Sequence, residues 1–109
     1  MDTDLLMKQF LPMTESAYYI LLSLHEPRHG YAIMQHVEEI TDGRIRIGPG
    51  TIYGTLSKLE KEELILQKAE TDRKKIYSLS EKGKAVLQLE LKRLQELVQN
   101  GRREMEVQR

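Results

Sequence analysis

Three consecutive cations, Arg73, Lys74 and Lys75, follow the turn-forming residues Thr71 and Asp72. Like charges held side by side repel one another unless solvent or an anion receives them, so the cluster reads as an anion-contacting tip. Upstream, Thr51, Gly54, Thr55 and Lys58 fall on one face of a helically spaced segment, with Lys61 at its end and Tyr53 at its border. A short-sided, hydroxylated face with a basic end suits close approach to a surface of hydrogen-bonding edges and phosphates. Other uses stay open. Lys58 and Lys61 also fit solvated helix charges pairing with Glu62 and nearby acids, Tyr53 fits packing on a neighbouring helix, and Gly50 and Gly54 serve either contact or packing.

Catalytic and metal chemistry find no comparable support. His25, His29 and His36 have no cysteine company, Pro27 and Arg28 interrupt the first pair, and His36 sits mid-helix, where a surface or packed histidine is ordinary. Ser16, Ser23, Ser57, Ser78 and Ser80 lack a nucleophile frame, and there is no P-loop or dinucleotide fingerprint. No enzyme, metal or cofactor is expected.

At 109 residues and 39% hydrophobic content, the chain suits one domain with a modest core. It has no cysteine, which excludes disulfides and Cys-ligated zinc. No run reaches the roughly 20 apolar residues needed to span a membrane, and the start, with Asp2 and Asp4, lacks the basic opening of a secretion signal. An intracellular, cytoplasmic protein is expected. The net charge of +0 argues at first against a nucleic-acid partner. The charge is unevenly placed, however: Arg44, Arg46, Lys58, Lys61, Lys68, Arg73, Lys74, Lys75, Lys82 and Lys84 occupy the middle, whereas acids dominate before them.

The elements that must position these residues follow from period and punctuation. Asp4 to Phe10 predicts a short helix, and Thr14 caps a second whose Ala17, Ile20, Leu21 and Leu24 keep helical spacing up to the limit set by Pro27. Tyr31 to Ile40 forms a third amphipathic segment, with Ile33, Met34, Val37 and Ile40 on its apolar side. Gly48 and Pro49 announce the next helix, which turns Ile52, Leu56 and Leu59 to the core. Leu64 to Glu70 and Lys74 to Leu79 read as two strands joined by "TDR".

From Ser80 a long helix continues past Asn100. Leu87, Leu91, Leu94 and Val98 are spaced four, three, four, a seam that Gly101 interrupts and Met105 resumes. Such a stripe on a helix reaching beyond a small domain calls for a partner, and a second copy under twofold symmetry is the expected one. The stripe could instead bury against its own first helix. Tyr18, Leu22 and Val86, with Tyr19, Leu87 and Leu91, could line an apolar ligand cavity between paired helices or be ordinary core contacts.

The predicted fold is mostly α with a small two-stranded β-hairpin, a winged helix-turn-helix. Residues 1–79 would bind DNA and residues 80–109 form a dimerisation helix within the same domain. With "HGYAI" (29–33), "PGTIYGTLSKLEKEELI" (49–65) and "RKKIYSLSEKG" (73–83) in order, the chain resembles the PadR-like transcriptional regulators, in their compact subgroup with a short terminal helix. The resemblance implies a homodimer that represses a promoter and is released when a small-molecule effector or another signal alters dimer geometry. Double-stranded DNA would be contacted by Thr51, Tyr53, Gly54, Thr55 and Lys58 and by the wing residues Arg73, Lys74 and Lys75, with Leu87, Leu91, Leu94 and Val98 as the dimer seam. Many members carry proline where this chain has Gly54 and glycine where it has Glu63, so Glu63 is expected to remove the easy left-handed end of the recognition helix. A rival of another class is a dimeric winged-helix module for protein interaction, which would suit the net neutrality and the acids Glu60, Glu62 and Glu63.

Overall fold

The computed structural model describes residues 1–106, so the last three positions of the expected terminal helix lie outside the described residues. In chain order it contains α1 (Thr3–Phe10), α2 (Glu15–Ser23), α3 (Gly30–Ile40), α4 (Pro49–Lys61), β1 (Ile65–Thr71), β2 (Lys74–Leu79) and α5 (Glu81–Glu106). This is a winged helix-turn-helix followed by a long helix. None of the described helices is long and apolar enough to cross a membrane.

Side chains set the helix starts by satisfying amides that the helix itself leaves open. Asp2 accepts from the Asp4 and Leu5 amides, Thr14 from that of Ala17, and His29 Nδ1 from that of Ala32. His29 therefore moves the start of α3 to Gly30, one residue ahead of the expected Tyr31. Helix α4 has no side-chain cap; extended Gly48 leads into Pro49, whose fixed φ suits the first helical position.

The core is built from Ile20 and Leu21 of α2 with Leu24 just past its end, Ile33 and Val37 of α3, and Ile52, Leu56 and Leu59 of α4, with Val86 of α5. Ile40 does not join it. As the last residue of α3 it is 45% exposed, whereas Ile47 in the following loop is buried in the core.

Helix α4 ends differently from expectation. Glu63 itself takes the left-handed conformation at φ 62°, its amide donating to the Glu60 carbonyl and that of Leu64 to the Leu59 carbonyl. These are the paired bonds of a Schellman end, and buried Leu59 and Leu64 supply its apolar contact. Burial of Leu64 outweighs a local strain of about 1 kcal/mol.

The hairpin is tighter than predicted, because β1 runs to Thr71 and only Asp72 and Arg73 form the turn, at φ 50° and 63°. Both positive φ values fit the right-handed twist of a two-residue hairpin loop. A bulge between Gln67 and Ala69 leaves Lys68 outside the register. At its base, Tyr77 exchanges both backbone bonds with Arg28, and the Leu79 amide reaches the Leu24 carbonyl.

Helix α5 begins jammed against the end of α4. Ser80 donates through its amide to the Leu64 carbonyl and through its hydroxyl to that of Glu63, while its Oγ accepts the Gly83 amide. A Cβ at Gly83 would lie 1.9 Å from the Leu64 carbonyl oxygen. From Gln95 onward every described residue of α5 is exposed.

Candidate nucleic-acid interface

With Ile52, Leu56 and Leu59 buried, the geometry of α4 fixes what points outward. The outermost line is Gly50, Gly54, Ser57 and Lys61, with Thr51 and Lys58 beside it, all exposed. A Cβ at Gly50 or Gly54 would meet nothing within 4 Å, so neither glycine serves packing inside the protomer. Thr55 is half-buried on one flank and shares with Lys58 a cleft of about 310 Å³ against the α1–α2 linker. Tyr53 occupies the other flank and combines the two roles that the sequence leaves open: its ring lies on Gly30, yet it stays 56% exposed.

On the Tyr53 flank the hairpin closes a groove of about 470 Å³, lined by His29, Tyr31, Tyr53, Ser57, Glu60, Arg73, Lys74 and Lys75 among others. The wing cations and the recognition helix thus border one concavity. Sequence reasoning missed Ser57, treating it only as a serine without a catalytic frame. The four-three-four spacing from Gly50 through Gly54 and Ser57 to Lys61 was the available signal.

The mid-chain cations divide into two sets. Arg44 pairs with Glu15 at 2.8 Å and Arg46 with Glu38 at 2.9 Å, and the Glu15 hydrogen bond raises the pKa of Arg44. Lys82 donates to the Glu62 carbonyl and lies over the Phe10 ring, and Lys84 pairs with Glu81. None of the ion pairs among the described residues involves Lys58, Lys61, Lys68, Arg73, Lys74 or Lys75. Helix charges and wing charges alike are left to solvent or to a ligand.

The seam on α5 is largely uncovered in the protomer: Leu91 is 46% and Val98 51% exposed, with Leu87 and Leu94 half-buried. Of the two uses open to Val86, the protomer shows the core contact. Val86 is fully buried in the core, while Tyr18 and Leu22 stay half-buried on α2. Sequence reasoning also missed Glu90, buried on α5 and held by Arg93 and the Met13 amide. The Arg93 hydrogen bond holds the Glu90 carboxyl below its ordinary pKa despite burial.

Each histidine has its own local partner: His25 the Leu22 carbonyl, His29 the Ala32 amide, and His36 the Arg28 guanidinium. Burial, then Arg28, lowers the pKa of His36. Among the described residues no group of histidine and acidic side chains converges to hold a metal ion.

Known proteins share this fold. The sequence profile of the transcriptional regulator PadR-like family matches residues 20–89. The transcriptional regulator YqjI of Escherichia coli is 38% identical over 55 residues, covering 50% of this chain and 27% of that protein. An uncharacterised transposon protein of Streptomyces fradiae is 36% identical over 64 residues, covering 59% of this chain and 18% of that one. The chain thus aligns with about a quarter or less of the length of these relatives. Among solved structures, Bacillus subtilis PadR in complex with operator DNA superposes with a TM-score of 0.63 at 29% identity, over 73% of this chain and 48% of that one. The chain belongs to the PadR-like family of transcriptional regulators.

Proposed function

We propose that two copies of this chain clasp through α5 and bind a roughly palindromic promoter site, each laying α4 in the major groove with its wing on the flanking backbone. The carrying observation is the outward face of α4, without side chains at Gly50 and Gly54 and edged by unpaired Lys58 and Lys61, beside three unpaired wing cations. Small residues let a helix sit deep in a groove, where Thr51, Thr55 and Ser57 have the hydroxyls to meet base edges. Lys58, Tyr53, Arg73, Lys74 and Lys75 act mainly on phosphates, which fix register. Neutrality of the whole chain does not oppose this, because Arg44, Arg46 and Lys84 are matched by acids on the body while the groove-facing cations are not.

Twofold symmetry puts the half-sites about one helical turn apart. Occupying a promoter represses it in the cytoplasm, and a small molecule seated between the copies near Tyr18 and Leu22 releases it by altering their geometry. Selection of bound duplexes from random DNA tests binding, site symmetry and spacing together. Recovery of no enriched duplex would overturn the reading in favour of a protein-interaction module. In fluorescence-anisotropy titrations, changing Arg73, Lys74 and Lys75 to alanine should weaken binding by about ten- to a hundredfold and flatten the salt dependence by roughly one unit of log–log slope per lost phosphate contact. Lys58→Ala should do the same on a smaller scale.

A further inference from the structure

We infer that Glu90 is a positioning residue which, with Gly83, fixes the direction of α5 relative to α4 and so sets the separation at which a dimer engages two half-sites; this rests on the DNA-binding reading above. Glu90 is a charged side chain only 1% exposed, a costly placement unless its partners are worth the desolvation. Its Oε2 accepts the Met13 amide at 2.8 Å across 77 residues of sequence, and Arg93 closes the pair with Nη2 at 3.1 Å. The Met13 amide belongs to the linker between α1 and α2, which also walls the cleft against Thr55 and Lys58 of α4.

One turn into α5, Gly83 rests on the Leu64 carbonyl at the end of α4, where no side chain would fit. The two attachments are seven residues apart, about 10 Å along the helix at 1.5 Å per residue. Between them Val86 is buried in the core, so the first turns of α5 are held by packing, and Glu90 adds a directional tie at the far end of the attached stretch. Beyond Glu90 the burial of α5 falls away, through exposed Leu91 and half-buried Arg93 and Leu94 to uninterrupted exposure from Gln95 onward. Glu90 therefore stands where the arm that meets the second copy departs from the unit that reads DNA. A leucine there would anchor α5 by burial alone, whereas the carboxylate ties it to one named amide with directional bonds.

The test uses the full chain. Because it has no cysteine, Lys61→Cys offers one labelling position per copy, and the distance between two nitroxides across the dimer is measured by pulsed electron paramagnetic resonance. Wild-type Glu90 should give one narrow distance distribution, Glu90→Ala one at least about twice as broad, and Glu90→Gln, which keeps an acceptor for Met13, a distribution near the wild type. In parallel, duplexes with half-sites moved by one base pair, a rotation of roughly 35°, should cost the wild type about tenfold in affinity and Glu90→Ala no more than about threefold. Should Glu90→Ala fail to fold, Arg93→Ala, altering the exposed edge of the pair, should give the same changes at smaller size.

A folded dimer of Glu90→Ala, or of Arg93→Ala in its place, with wild-type width and wild-type spacing preference would overturn the inference. The distance measurement needs only the dimer, so its failure is distinct from failure of the DNA-binding reading; a wild type that neither dimerises nor binds duplexes would overturn both.

Discussion

Helices α4 and α5 each carry a line at the same four-three-four spacing: exposed Gly50, Gly54, Ser57 and Lys61 on one, and Leu87, Leu91, Leu94 and Val98, alternately half-buried and exposed, on the other. The geometry is shared and the chemistry is opposite. On α4 the line is free of apolar side chains and ends in a cation, so covering it requires a polar, anionic surface that can come close to the backbone. On α5 the line is aliphatic, and covering it releases water from apolar area, about 25 cal/mol for each Å². Period alone tells that a helix faces outward; the side chains on that face tell what comes to meet it.

The contrast is open to attack, first where α5 is still part of the body. Gly83→Ala forces a Cβ into the Leu64 carbonyl, and backbone cannot yield as a flexible side chain would. Chemical denaturation should show a loss of about 3 kcal/mol or an unfolded chain. Further along, Leu91→Asp combined with Leu94→Asp should leave the protomer folded, because these side chains are not part of its core, and should weaken dimerisation by at least about a hundredfold. A stable dimer by light scattering would remove the aliphatic half of the comparison.

Smaller again is the acid sensitivity of the junction between the two halves of α5. The Glu90 carboxyl titrates below its ordinary value of 4.5 in the folded chain, chiefly through Arg93, with Tyr18 as a neighbour. Its stabilisation is therefore full above about pH 4.5 and is lost as pH falls through the lowered folded value. Denaturation midpoints of the wild type should fall more steeply on acidification than those of Glu90→Gln; parallel curves would count against the buried pair.

The smallest effects sharpen the α4 side. Gly54→Ala adds helix propensity at an open position and should stabilise the fold by about 0.5–1 kcal/mol while weakening duplex binding. Glu63→Gly relieves a left-handed residue and should stabilise by about 1 kcal/mol with duplex affinity unchanged. A binding loss in the second variant would mean that the end of α4 matters to recognition in a way its inward-facing bonds do not suggest.

Much of this was legible in the residues. Gly48 with Pro49 marks the start of α4, Thr14 and Ser80 cap their helices, and the aliphatic spacing of α5 shows through the charges around it. What escaped was anything decided by a distant contact. Glu90 stands in "LELKR", which reads as a solvated charged turn until Met13, far away in sequence, reaches it. Gly83 reads as a weak point near a helix start until the Leu64 carbonyl arrives beneath it. Arg44 and Arg46 look like part of one basic block, yet Glu15 and Glu38 answer them from other helices. Glu63 breaks the local rule for a helix end because burial of Leu64 outweighs the strain. Ser57 is hidden for another reason: a lone serine reads first as a nucleophile without a frame, and only its place on the exposed line of α4 makes it part of a surface.

The base of the hairpin is held to the body by the pair of backbone hydrogen bonds between Arg28 and Tyr77, and its tip is the exposed two-residue turn at Asp72 and Arg73. Substitutions thus fall into two regimes along one short ribbon. Near Tyr77 they disturb the core, whereas at Arg73, Lys74 and Lys75 they leave the body intact. A lineage can revise what its flap touches, one residue at a time, while every ancestor along the way still folds.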